Sequence, residues 1–177
     1  MIPGLEIVVA ETEAAIRACW PVMAQLRPQL DEAGFLERVQ RQRAAGYRLV
    51  AVRRGGRVVA VAGFVIGEKL AWGRHLYVDD LVTDVTARSS GVGAALLAWL
   101  RRHAAEAGCA ELHLDSGIQR ADAHRFYARE GLAHASHHFR VAITDADRSA
   151  RPVPPVLEDE PDEFDPSHEG GLDPDCH

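Results

Sequence analysis

Residues 87–100, ARSSGVGAALLAWL, set two glycines one residue apart at the mouth of an apolar run with helical spacing. The run before them, RHLYVDDLVT at 74–83, reads as a strand. The chain therefore passes from strand to helix through nearly bare backbone, which demands a fold in which the two element types alternate. The remaining pattern agrees. LEIVVA (5–10) alternates as a short strand, and Thr12 caps a helix reaching about Leu26. Asp31 caps a second helix that ends at Gly46. YRLVAV and RVVAVAGFVI flank RRGG, a hairpin signal. A helix over 91–107 turns Leu96, Leu97 and Leu100 to one face and stops at Gly108. AELHLDS is a strand, RADAHRFYARE a helix ending at Gly131, and HFRVAI (138–143) a last strand. The order is β-α-α-β-β-β-α-β-α-β, an α/β mixed sheet with helices on both faces.

The 177 residues suffice for one domain with a tail. The net charge of −6 is unevenly spread. Residues 145–177 hold eleven acids against two arginines and six of the nine prolines, whereas residues 1–144 hold 18 basic and 15 acidic residues. The expected division is a folded domain over 1–144 and an acidic, Pro-rich, disordered tail over 145–177. A body at +3 suits a small polyanionic ligand and is too weakly basic for a nucleic-acid binder. No run of about 18 apolar residues offers a membrane span. The start, MIPGLEIVVAETEAA, lacks the basic and apolar blocks of a signal peptide. Cys19, Cys109 and Cys176 are unclustered, which argues against a disulfide framework. The expected location is cytoplasmic.

Gly91 and Gly93 let a ligand approach the backbone where the first unpaired N–H groups of a helix favour negative charge. The N–H groups from Arg88 through Ser89, Ser90, Gly91, Val92 and Gly93 to Ala94 form the cradle, with Arg88 adding a permanent cation. The plain alternative is a tight strand-to-helix turn. The phosphate loop of nucleotide hydrolases needs Gly-Lys-Ser/Thr, and Ala94 and Ala95 follow Gly93 here. The dinucleotide fingerprint needs a third glycine at position 96, which is Leu96.

RSSGVG (88–93), with AHRFYAREGL downstream, resembles the GNAT superfamily of acetyl-CoA-dependent N-acetyltransferases across about residues 5–143. The resemblance implies the acyl-CoA N-acyltransferase fold with central splayed strands, and a loop that cradles the coenzyme A pyrophosphate. It implies backbone hydrogen bonds to the pantetheine arm from Leu81, Val82 and Thr83, and Tyr127 as the acid that protonates the departing thiolate. VDDLVT resembles the acidic strand of polyamine and diamine acetyltransferases, which implies Asp79 as base through water and Asp80 in acceptor binding. Two positions depart from the family's usual pattern. Arg120 stands where an asparagine is usual, and Ser89-Ser90 where Arg-Gly is common.

The chemistry is sound without the label. A thiol of pKa about 8.5 leaves as an anion, and a phenol of pKa about 10 stays protonated at neutral pH and can donate. An amine is a cation when free, so a carboxylate should help remove its proton. Strand alternation predicts Tyr77, Asp79 and Leu81 on one face and Asp80 on the other, with Tyr77 at the acceptor. The bland reading has Asp79 or Asp80 capping a loop or pairing with Arg74. Asp115 is a second-rank acid, His124 is a candidate pocket residue, and Trp20 and Trp72 are core or pocket walls. Trp99 is assigned to the core. His134, His137 and His138 lack metal-ligand spacing, so no metal is expected. The expected partner is a small-molecule amine acceptor, with no nucleic acid and no membrane; a homodimer is admissible. Two competing readings are a protein lysine acetyltransferase and a non-catalytic acyl-CoA-binding module.

Overall fold

The computed structural model describes residues 4–149. The chain divides into two units, residues 1–138 and 139–177. The first contains β1 (Leu5–Val9), α1 (Glu13–Met23), α2 (Glu32–Ala44), β2 (Arg48–Arg54), β3 (Arg57–Lys69), β4 (Gly73–Thr83), α3 (Val92–Glu106), β5 (Glu111–Leu114) and α4 (Ala121–Arg129). The sheet order is β1-β2-β3-β4-β5. All neighbours are antiparallel except β4 and β5, which are parallel and joined through α3.

Helices cover both faces, which is why β2 and β3 read as unbroken apolar runs. On one face, Ile16, Val22 and Met23 of α1 and Phe35 and Val39 of α2 pack on Leu49, Ala51, Val61 and Val82. On the other, Leu96, Leu97 and Leu100 of α3 pack on Val50, Val52, Ala60, Ala62, Phe64, Leu76 and Val78. Each of these α3 leucines is at most 1% exposed, and burial of that extent contributes about 1.5–3 kcal/mol per side chain. Trp99 lies half-buried against this second cluster, stacked on His103 with ring centroids 4.9 Å apart. The helix starts follow the sequence signals. Thr12 Oγ1 accepts from Ala15 N–H at 3.2 Å, and Asp31 Oδ1 accepts from Gly34 N–H at 2.7 Å.

Two expectations need correction. HFRVAI forms no strand: residues 138–143 pair with nothing in a ladder, and Phe139 and Val141 are more than four-fifths exposed. Alternating side chains supply a strand's period, but a strand also needs a partner for its backbone groups. The residues of the second unit that are described include a short helix, Asp145–Ser149, within the stretch read as disordered tail. The rest of that tail, from residue 150 onward, lies outside the described residues. The second correction concerns β4 and bears directly on the site.

Candidate functional site

Strand β4 opens a gap in the sheet. It pairs with β5 only from His75 to Val78, because β5 ends at Leu114, opposite Val78, while β4 runs on to Thr83. From Asp79 onward, no strand among the described residues lies beside that edge of β4. The direction of its backbone groups follows from one bond: Asp84 N–H donates to the Val59 carbonyl of β3 at 2.9 Å. Strand backbone alternates, so Val82 and Asp80 also turn to β3, while Leu81 and Thr83 turn their N–H and C=O groups into the gap. Of the three residues expected to hold the pantetheine arm, Leu81 thus presents free backbone among the described residues, and Thr83 presents its N–H while its carbonyl accepts from Arg88 Nε at 3.5 Å. The third, Val82, has its backbone engaged by the sheet.

A β-bulge interrupts β4 at Asp79. Phe64 pairs with Val78, and Gly63 pairs with Asp80, leaving Asp79 as the extra residue. The bulge reverses the alternation of side chains. Before it, Leu76 and Val78 face α3; after it, Leu81 joins the α3 cluster and Val82 joins the α1 cluster. Tyr77 pairs with Val65, which packs on the α1 side, so Tyr77 and Leu81 lie on opposite faces. The expected shared face of Tyr77, Asp79 and Leu81 does not exist. An extra residue shifts the period by one, and every later side chain changes sides.

The two acids at the bulge have different surroundings. Asp80 is engaged: the Tyr47 hydroxyl donates to its Oδ2 at 2.9 Å, and Arg27 Nε donates to its Oδ1 at 2.7 Å. Arg27 Nη2 also donates to the Asp79 carbonyl at 3.0 Å. Asp79 keeps its own carboxylate free of hydrogen bonds among the described residues. Asp79 is exposed, yet partial desolvation by its surroundings raises its pKa from the ordinary aspartate value, the Asp80 charge adds to the rise, and the Arg27 charge opposes it. The Tyr77 hydroxyl donates to Asp115 Oδ2 at 2.5 Å, which occupies that second-rank acid. Neither Asp79 nor Asp80 pairs with Arg74, whose Nε donates to the Ala107 carbonyl.

After β4, Asp84 caps a 3₁₀ turn, Val85–Ala87, accepting from the Thr86 hydroxyl at 2.6 Å and the Thr86 N–H at 2.8 Å. Those two bonds, with Arg57 Nη2 at 3.1 Å, hold Asp84 down at a pKa of about 2. The loop then enters left-handed backbone twice before α3, at Ser89 (φ 58°) and Gly91 (φ 79°). Left-handed residues beside a helix start turn successive N–H groups into one concavity, the geometry that receives anions. Gly93 lies close to β4 and α4: a Cβ there would stand 3.2 Å from Thr83 Oγ1 and 3.5 Å from Phe126 Cζ. Ser90 spends its hydroxyl on the Ala87 carbonyl at 2.6 Å. Arg88 remains exposed, and Arg54, from the end of β2, reaches Ser90 Oγ at 3.5 Å and brings a second cation to the loop. Reading RRGG as a turn alone conceals that role for Arg54.

The Phe126 contact sets α4 against the loop, and Tyr127 follows it. Tyr127 is half-buried, its hydroxyl makes no hydrogen bond among the described residues, and burial raises its pKa, with Arg120 opposing. It is a protonated donor at neutral pH. His124 is exposed on the same helix. Trp72, beside the start of β4, stacks on His113 with centroids 3.9 Å apart. Trp20 packs on Phe35 in the α1–α2 core at 5.4 Å. Among the described residues no group of His, Cys, Asp and Glu has the arrangement of a metal site, and no helix is long and apolar enough to cross a membrane.

Residues 10–132 match the family described as the acetyltransferase (GNAT) family. Over 126 residues the chain is 36% identical to the uncharacterized N-acetyltransferase YhdJ of Bacillus subtilis (strain 168), spanning 70% of this chain and 89% of that protein. Over 66 residues it is 41% identical to the aminoalkylphosphonate N-acetyltransferase of Salmonella typhimurium, spanning 37% of this chain and 43% of that one. The fold matches that of the aminoglycoside N-acetyltransferase AAC(6')-Iy crystallised with CoA, with TM-score 0.69 and 14% identity, over 81% of this chain and 99% of the other.

Proposed function

The chain belongs to the acetyltransferase (GNAT) family and is an acetyltransferase, and we propose that it moves acetyl from acetyl-CoA to a primary amine of a small cationic acceptor. The observation that carries this reading is the unpaired edge of β4, with the Leu81 N–H turned into a gap that opens beside an anion-binding loop. The residues present suit a diphosphate-bearing thioester. Loop N–H groups from Arg88 to Ala94, with Arg88 and Arg54, receive the diphosphate. Leu81 and Thr83 extend the backbone contacts along the pantetheine arm. Aminoglycosides and aminoalkylphosphonates, named for two of the similar proteins, are likewise small amines.

The transfer is direct. Asp79, with its raised pKa, removes a proton from the acceptor ammonium directly or through water. The freed nitrogen attacks the thioester carbonyl, and the Leu81 N–H stabilises the oxyanion. As the carbon–sulfur bond breaks, Tyr127 gives its proton to the departing thiolate and the attached nitrogen releases its extra proton to solvent, leaving a neutral amide and free CoA. The Tyr127 phenolate then recovers a proton from solvent. No enzyme nucleophile is needed, and Cys19 is unsuited to be one, since burial pushes its pKa up to about 12.

The test is continuous detection of free CoA thiol from purified protein, acetyl-CoA and a panel of polyamines, aminoglycosides, aminoalkylphosphonates and lysine peptides. Turnover with a small amine supports the reading. Turnover with peptides alone would move it to protein acetylation, and CoA binding without any turnover would reduce it to a binding module.

A further inference from the structure

We propose that Arg27, Asp80 and Tyr47 form a clamp that fixes the β4 bulge and thereby positions the Asp79 carboxylate and the Leu81 amide at the gap. The inference rests on the reading of Asp79 as base and gives its neighbours a task in the same site. A bulge is an unpaired residue, so something other than the ladder must hold its conformation. Here one guanidinium holds both sides of it. Arg27 grips the Asp80 carboxylate at 2.7 Å and the Asp79 carbonyl at 3.0 Å. Tyr47, 2% exposed just before β2, donates to the other Asp80 oxygen at 2.9 Å.

The strand beneath is shaped for this contact. Gly63 is the β3 partner of Asp80, and a Cβ on it would stand 1.7 Å from Tyr47 Oη. Only the missing side chain lets the phenol cross β3 to reach Asp80. Arg27 lies between α1 and α2, so the clamp also joins that connection to the strand carrying the base. The Asp80 side chain is 14% exposed and fully partnered. It is therefore a positioning residue rather than the acceptor contact expected of it.

The charged and titratable groups around Asp79 are Asp80 and Tyr77 on its own strand, Arg27 between the helices and Tyr47 just before β2, with Asp115 bound to the Tyr77 hydroxyl. Asp80 and Arg27 act on Asp79 with opposite sign. Removing the Arg27 charge therefore raises the Asp79 titration and removing the Asp80 charge lowers it, while the kcat against KM split reports the positioning.

The experiment measures kcat, KM and the pH profile of kcat/KM for wild type, Asp79→Asn, Arg27→Gln, Asp80→Asn and Tyr47→Phe, with folding checked by circular dichroism. Displacement of the base or amide by about 1 Å lowers kcat roughly 10–100-fold in Arg27→Gln and Asp80→Asn, with KM for acetyl-CoA nearly unchanged. The acid limb moves up in Arg27→Gln and down in Asp80→Asn. Arg27→Lys restores the limb through its charge but only part of kcat, since it lacks the fork. If either charge variant fails to fold, Tyr47→Phe, which deletes one hydroxyl, must still lower kcat. Wild-type kcat and an unmoved limb in the folded variants overturn the clamp while Asp79 stands as base. An acid limb that survives in Asp79→Asn removes the base, and the kcat of the clamp variants then decides positioning of Leu81 alone.

Discussion

Replacing Gly63 by alanine adds one methyl group where the structure leaves no room. The new Cβ would meet Tyr47 Oη at 1.7 Å, Cζ at 2.3 Å and Cε2 at 2.6 Å, so the ring must move. A displaced ring strains a core in which Tyr47 is 2% exposed, and overpacking of this kind costs about 1–3 kcal/mol. It also breaks the 2.9 Å bond to Asp80, and a hydrogen bond to a charged group contributes about 1.5–3 kcal/mol. The sum is about 2.5–6 kcal/mol, a fall in melting temperature of roughly 5–24 °C for a chain of this size. Urea unfolding followed by circular dichroism measures it, with Tyr47→Leu and the double variant alongside. The smaller side chain relieves the clash, so Gly63→Ala costs far less in the Tyr47→Leu background than in wild type. A Gly63→Ala protein within about 0.5 kcal/mol of wild type, the spread of an ordinary surface change, would refute the crossing of Tyr47 over Gly63.

Three further outcomes follow from the same geometry. Tyr127→Phe lowers kcat about 10²–10⁴-fold while CoA affinity, measured by calorimetry, stays near wild type; an unchanged kcat removes Tyr127 from the reaction. Asp84 is held at a pKa of about 2, below its ordinary 3.8, so it stabilises the fold above pH 4 and that contribution is lost as pH falls from about 4 through 2. Urea midpoints over that range fall less steeply in Asp84→Asn, and an equal slope contradicts the role of Thr86 and Arg57. Arg54→Gln weakens CoA binding about 2–5-fold at low salt and reduces its salt dependence, measured by calorimetry at two ionic strengths.

Local chemistry made much of the architecture legible. Thr12 and Asp31 announce their helices because a cap is a contact across three residues, and RRGG announces its hairpin for the same reason. The leucines of α3 show their face by helical spacing. The strand-to-helix loop was visible because Gly91 needs left-handed backbone at the start of a helix. The bulge was not. It arises from how β4 pairs with β3, and nothing in VDDLVT itself shows that Asp79 is the extra residue. That hidden shift separated Tyr77 from Leu81 and turned Asp80 toward Arg27, 53 positions away in the chain. Arg54 escaped notice for a related reason, since its reach to Ser90 spans 36 positions. In HFRVAI, conversely, a period of two was present without a pairing partner.

Calorimetric titration of the folded protein with CoA bears most directly on the loop and the open edge of β4. The geometry predicts one site per chain that pantetheine, which lacks the diphosphate, fills far more weakly. No binding of CoA by folded protein, or equal affinity for CoA and pantetheine, would contradict it.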